Sequence, residues 1–152
     1  MPTFEQELSV ATEACRAAGA IQLDCRSRDK HVETKEDASP VTQVDRACEE
    51  VIVGTLERHF PRDGFLGEEQ GELKGVSGRR WIIDPLDGTR AYIRGIPTYS
   101  VLVALEEDEC VVVGVIHLPE LELTCCARKG GGAFCNGSRI HVSSEADMRS
   151  AI

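Results

Sequence analysis

Hydrophobic and polar residues follow two different periods along this chain, and the change of period divides it into two parts. In the first part apolar residues recur three and four positions apart, which predicts amphipathic helices over 4–25 and 41–60. Thr42 is placed to cap the second helix, and Pro61 follows its last residues. A short alternating stretch at 31–35 predicts a strand between the two helices.

The second part consists of β-branched and apolar runs that are separated by turn residues. Strands are predicted over 64–69, 79–85, 98–107, 110–118 and 121–129, with one more short strand near the end. The triple glycine at 130–132 predicts a turn, because no helical pattern follows it. This order predicts an α+β fold over residues 1–152, with two helices packed on a mostly antiparallel sheet.

Charge and composition argue against several classes of protein. The chain has 152 residues and a net charge of −9 with scattered Lys and Arg, which disfavours binding to nucleic acid or to anionic membranes. It contains no apolar run long enough to span a bilayer, and its first residues do not resemble a secretory signal. The seven cysteines have no metal-binding or redox spacing, so we expect reduced thiols in a cytoplasmic protein.

Acidic residues stand at the ends of several predicted elements. Asp84 and Asp87 directly follow the apolar run of WIIDPLDGT at 81–89. Two neighbouring carboxylates repel each other unless a cation lies between them, and Mg²⁺ prefers oxygen ligands. Gly88 lets the backbone approach an anion, and Thr89 supplies a hydroxyl. From spacing alone, an ordinary Asp-Gly turn explains the pair equally well.

Four short motifs extend this observation beyond one turn. They are SPVTQVD at 39–45, GEE at 67–69, WIIDPLDGT at 81–89 and GIP at 95–97. In this order they resemble the N-terminal motifs of the inositol monophosphatase family of Mg²⁺-dependent phosphomonoesterases. The resemblance runs through nearly the whole chain, and it implies the N-terminal portion of that family's αβαβα sandwich, with a metal-binding role for the domain.

The resemblance also implies a role for each matching residue. Glu68, Asp84 and Asp87 would bind two or three Mg²⁺ ions through their carboxylates. Leu86 would add its backbone carbonyl to the metal shell. Asp45 and Thr89, with Glu68 as the third member of the catalytic group, would position and activate the attacking water. The amides of Gly88 and Thr89 would contact the substrate phosphate.

The activity that the resemblance implies is hydrolysis of a small phosphate monoester by metal-activated water, without a covalent phosphoenzyme and with sensitivity to Li⁺. KEDASPVT and DGTRAYIRGIP resemble the histidinol-phosphatase-like and sulfur-nucleotide-phosphatase-like branches of the family more than its animal inositol enzymes. This resemblance favours histidinol phosphate over inositol phosphate as the substrate, with nucleotide or sugar phosphates as further alternatives, and a homodimer is compatible with the family. The family's C-terminal half, whose W-D motif completes the metal site, has no counterpart in this chain. The alternative is therefore a weakly active or inactive metal-binding fragment or regulatory module.

A haloacid-dehalogenase-type phosphatase is a further alternative, because such enzymes also end an apolar strand in aspartates. Their two aspartates are separated by one residue, whereas Asp84 and Asp87 are separated by two. No helical crossover pattern follows the strand either. The sequence therefore disfavours this class.

Overall fold

The structure is a computed structural model that describes residues 3–28, 40–147 and 149–150. The strand predicted at 31–35 lies outside the described residues. Within them, no helix is long and apolar enough to cross a bilayer.

The two long helices predicted from the sequence are confirmed. Helix α1 spans Glu5–Arg28 and helix α2 spans Pro40–His59. The prediction that Thr42 caps α2 is wrong, because the helix already begins at Pro40. Proline suits the first position of a helix, where its fixed φ is helical and no N–H is needed. Thr42 therefore lies inside the first turn.

The β-strands form one sheet, and the α+β fold class of the chain is the predicted one. Its order in the described part of the chain is β2-β1-β3-β4-β5-β6-β7-β8, antiparallel throughout except for the parallel pair β1 and β3. The strands are β1 (Gly64–Leu66), β2 (Glu72–Leu73), β3 (Arg79–Asp87), β4 (Ser100–Glu107), β5 (Cys110–Leu118), β6 (Leu123–Arg128), β7 (Gly132–Cys135) and β8 (Ser138–Ile140).

Two short features differ from the sequence prediction, and a third agrees with it. The strand expected at 64–69 ends at Leu66, so the GEE motif belongs to the loop before β2. A six-residue helix, α3 (Thr89–Arg94), follows β3 and lies between Gly88 and Gly95, whose φ angles are 82° and 73°. It is too short to produce a periodic pattern in the sequence. The triple glycine supplies a turn, as predicted, and its last residue opens β7.

The core lies between the two long helices and one face of the sheet. Helix α1 contacts α2, β4, β5 and β6, and α2 also packs on β3. Small residues such as Ala14 and Ala18 are fully buried on α1, which lets the helix approach α2 and the sheet closely. The opposite face of the sheet bears an open apolar groove of about 510 Å³, lined by Ile82, Leu102 and Ile116 among others.

Candidate metal centre

The two aspartates of the WIIDPLDGT motif lie at an irregular end of β3. The strand predicted over 79–85 included Asp84 and left Asp87 beyond its end, whereas the strand runs through to Asp87. Its register with β4 shifts there, with Asp84 opposite Leu102 and Asp87 opposite Ser100. Pro85 lies at the shift, and a proline has no N–H with which to continue the ladder. The apolar run thus ends in a bulge.

This bulge determines which way the two carboxylates point. In a regular strand, residues three positions apart lie on opposite faces of the sheet. Here the β4 residues that oppose them are two positions apart, so Asp84 and Asp87 lie on the same face. Between them, the side chain of Leu86 is buried and anchors the bulge in the core.

Hydrogen bonds hold the residues of the bulge in place. The backbone N–H of Leu86 donates to Asp84 Oδ1 at 3.2 Å, and Ser100 Oγ donates to Asp87 Oδ2 at 3.3 Å. Thr89 Oγ1 donates to the carbonyl oxygen of Leu86 at 3.2 Å. The hydroxyl and the backbone carbonyl that were predicted as site atoms are therefore in direct contact.

Gly88 connects the bulge to α3 in a conformation that favours glycine. Its φ is 82°, and a Cβ atom there would lie 3.2 Å from Tyr99 Cα and 3.3 Å from the carbonyl oxygen of Thr98. A side chain would therefore meet backbone as well as strain the φ angle. Gly88 and Thr89 stand where α3 begins, and the first N–H groups of a helix have no acceptor within it.

Asp45 and Glu68 belong to the same electrostatic neighbourhood as the two aspartates. Burial raises the pKa of Asp84 from 3.8 to about 6, and repulsion from Glu68 and Asp87 adds to the rise. Burial also raises the pKa of Asp45 from 3.8 to about 6, with further repulsion from Glu69, Glu68 and Asp84. We call Asp45, Glu68, Asp84 and Asp87 the acidic cluster.

The acidic cluster has the donor chemistry for a hard cation. All of its donors are carboxylate oxygens, and burial together with mutual repulsion raises the pKa of Asp45 and of Asp84. In the described part of the chain, no three Asp, Glu, His or Cys side chains already converge to metal-binding positions. The residues fit Mg²⁺ chemically, and their side chains must converge to bind it.

The sequence prediction missed two buried residues behind the acidic cluster. Glu49 is fully buried on α2, and its oxygens accept the backbone N–H groups of Glu69 at 2.9 Å and Gln70 at 2.8 Å. Gln22 is also fully buried, and its Nε2 donates to the carbonyl oxygen of Pro85 at 2.8 Å.

A signal for Glu49 exists in the sequence. Asp45, Glu49, Ile52 and Leu56 are spaced by four, three and four residues, which places Glu49 on the buried face of α2.

Comparison with known proteins gives one consistent family. A model of the Inositol monophosphatase family matches residues 4–152. Histidinol-phosphatase from Chlorobaculum parvum is 44% identical over 142 residues, which are 93% of this chain and 55% of that protein. Histidinol-phosphatase from Mycobacterium tuberculosis is 45% identical over 143 residues, 91% of this chain and 55% of that protein. Inositol monophosphatase 3 from Solanum lycopersicum is 38% identical over 154 residues, which cover 99% of this chain and 58% of that protein.

Solved structures agree with the sequence relatives. The extragenic suppressor protein suhB from Bartonella henselae superposes with a TM-score of 0.82 at 35% identity, covering 93% of this chain and 56% of that one. The inositol monophosphatase from Anabaena gives a TM-score of 0.83 at 33% identity, and the match covers 96% of this chain and 53% of that one. The chain therefore spans about half the length of the curated relatives and solved structures that it matches.

Proposed function

Because this chain belongs to the inositol monophosphatase family, we propose that it carries the metal-binding part of an Mg²⁺-dependent hydrolase of small phosphate monoesters. The observation that carries the proposal is the bulged end of β3. It puts Asp84 and Asp87 on one face of the sheet, in electrostatic contact with each other and with Glu68. A fold has little reason to place these carboxylates side by side unless a cation joins them.

Each residue of the site has a proposed task. Glu68, Asp84, Asp87 and the carbonyl of Leu86 hold two or three Mg²⁺ ions. Mg²⁺, when bound, supplies charge neutralisation for the phosphate and lowers the pKa of bound water. Asp45 and Thr89 orient the attacking water, and the Thr89 hydroxyl lies beside the Leu86 carbonyl. The amides of Gly88 and Thr89 contact the phosphate.

The substrate is proposed from the relatives. Two bacterial proteins named histidinol-phosphatase are 44% and 45% identical to this chain, whereas a tomato inositol monophosphatase is 38% identical. We therefore favour histidinol phosphate over inositol phosphate. The sensitivity to Li⁺, the homodimer and the cytoplasmic location stay predictions.

The test is phosphate release from histidinol phosphate and from inositol 1-phosphate, with Mg²⁺ and with excess EDTA. Asp87→Asn removes one ligand charge, and Asp108→Asn is the matched control because Asp108 is exposed in the turn between β4 and β5. We expect weak Mg²⁺-dependent release by the parent chain and by Asp108→Asn, and a loss in Asp87→Asn. Full activity of Asp87→Asn, or activity in excess EDTA, would overturn the proposal.

A second candidate function follows from the length of the chain. It covers only 55% to 58% of the relatives described above, so the domain alone could bind metal without turning substrate over. Calorimetry that finds Mg²⁺ binding by a chain that releases no phosphate would favour this fragment. Recovery of activity when the remaining half of a relative is added would confirm that reading.

A further inference from the structure

We propose that Glu49 is a positioning residue for the acidic cluster, because it fixes the loop that carries Glu68. This inference rests on the proposed function and adds to it a residue that binds neither metal nor substrate. The loop runs over 67–71 between β1 and β2 and contains the GEE motif. Its position relative to β3 decides whether Glu68 can act together with Asp84.

The contacts of Glu49 are those of a loop anchor. Its side chain is fully buried, and each carboxylate oxygen accepts a different amide of the loop, from Glu69 at 2.9 Å and from Gln70 at 2.8 Å. Both amides directly follow Glu68 in the chain. Hydrogen bonds to a charged acceptor are about twice as strong as neutral ones, and a buried carboxylate is stable only when it is paired in this way.

Gly67 shows how closely the loop is fitted around this carboxylate. A Cβ atom on Gly67 would lie only 2.4 Å from Glu49 Oε1 and 2.7 Å from Oε2. No real Cβ approaches an oxygen so closely, so either the loop or Glu49 would have to move. The glycine of the GEE motif is therefore explained by the buried carboxylate beneath it.

Helix geometry links Glu49 directly to the acidic cluster. Asp45 lies one turn earlier on α2, so the two side chains project from the same face of the helix. Asp45 interacts electrostatically with Glu49 as well as with Glu68 and Asp84. One helix face thus presents Asp45 to the acidic cluster and holds the loop of Glu68 through Glu49.

The other described contacts of the loop fix its position less firmly than Glu49 does. Gly67 N–H donates to the Gly71 carbonyl at 3.0 Å, which closes the loop on itself. Arg46 pairs with Glu69 at 3.5 Å, but the Arg46 side chain is 66% exposed. Such exposed pairs contribute little. Glu49 is therefore the main polar anchor among these contacts.

The experiment is calorimetric titration of Mg²⁺ into this chain and into Glu49→Gln. Glutamine has the same shape, but its NH₂ group faces one of the two amide donors, so one hydrogen bond is lost. Removing a residue that holds a metal ligand in place typically weakens metal binding by roughly tenfold to a hundredfold. We expect a loss of this size in affinity, with the stoichiometry recovered at saturating Mg²⁺.

Three further single substitutions and one double variant make the result specific. Glu50→Gln is the matched control, because Glu50 is the adjacent residue of α2 and is exposed. Gly67→Ala disturbs the same contact from the loop side and keeps the charge of Glu49, so it should also weaken binding. Combined with Glu49→Gln, it should cost less than the sum of the two single changes. Asp84→Asn tests the metal centre itself.

Hydrogen exchange separates positioning from general destabilisation. In the folded Glu49→Gln chain, the amides of Glu69 and Gln70 should exchange faster while those in the middle of α2 and β4 keep their protection. If Glu49→Gln does not fold, as circular dichroism would show, Gly67→Ala carries the test. Parent-like Mg²⁺ affinity in a folded Glu49→Gln or Gly67→Ala chain overturns the role of Glu49.

The failure of the proposed function has a different signature. If Asp84→Asn binds Mg²⁺ as the parent chain does, the metal centre itself is wrong and the role of Glu49 falls with it. If Asp84→Asn loses binding and Glu49→Gln does not, only the positioning role is wrong.

Discussion

Replacement of Asp84 with asparagine is expected to change stability in opposite directions with and without Mg²⁺. The asparagine side chain would keep an oxygen that can accept the Leu86 N–H, but the change would remove one of the charges that repel each other in the acidic cluster. Without metal, the variant should therefore be more stable than the parent chain above pH 6. With Mg²⁺, the parent chain should gain stability that the variant does not gain.

The size of the metal-free effect follows from the pKa of Asp84. Burial and repulsion raise it from 3.8 to about 6, so between these values the folded chain binds more protons than the unfolded chain. The free energy of unfolding then falls as pH rises through this window and stays lower above it. The whole shift corresponds to about 3 kcal/mol, and screening of a half-exposed carboxylate reduces the expected effect to about 1 kcal/mol.

Urea unfolding of both chains, at about pH 4 and about pH 8, measures this difference. The two chains should be nearly equal in stability at the lower pH, and Asp84→Asn should be more stable at the higher pH in EDTA. Saturating Mg²⁺, at about one hundred times its dissociation constant, should add about 2.7 kcal/mol to the parent alone. Asp108→Asn, in an exposed turn, should follow the parent chain throughout. If Asp84→Asn were less stable than the parent chain in EDTA near pH 8, repulsion at Asp84 would not destabilise the metal-free fold.

Three other substitutions test the surrounding structure. Gly88→Ala should lower the free energy of unfolding by about 1–2 kcal/mol in urea titration, because the φ angle of Gly88 is 82° and an alanine there is strained. Unchanged stability would show that alanine is not strained at this position. Asp63→Asn should cost about 2 kcal/mol, since it removes the charge that pairs with Arg79 Nη2 at 2.7 Å beside the Trp81 Nε1–H contact, and a parent-like fluorescence-detected unfolding curve would count against it. Peroxide should join Cys125 and Cys135, whose sulfurs are 3.0 Å apart on paired strands, with loss of two hydrogens and release of water; mass spectrometry should find no such bond in Cys135→Ser.

The sequence predicts the long elements well because each repeats its pattern over several turns or pleats. Helices α1 and α2 and strands β3, β4, β5 and β6 are found close to the predicted positions. The family inferred from the four motifs is confirmed by the family match over residues 4–152. Local periodicity was enough to predict the long elements, and the order of the motifs was enough to predict the family.

The details of the acidic cluster needed the structure, because they depend on tertiary pairing. Spacing alone would put Asp84 and Asp87 on opposite faces of a strand, and only the shifted register against β4 puts them on one face. The spacing of Glu49 indicates the buried face of α2, but the loop amides that its carboxylate accepts are known only from the structure. Helix α3 has only six residues, too few for a periodic signal.

If the acidic cluster forms one metal centre, paramagnetic Mn²⁺ in place of Mg²⁺ should bind there first. In two-dimensional NMR spectra of the amides, the first additions of Mn²⁺ should broaden the signals of Asp45, Glu68, Asp84 and Asp87 together. The signals of β8, which lies five strands away from β3 at the edge of the sheet, should stay sharp. Broadening spread evenly over the acidic surface, or equal broadening in Asp84→Asn, would show that the acidic cluster is not one metal centre.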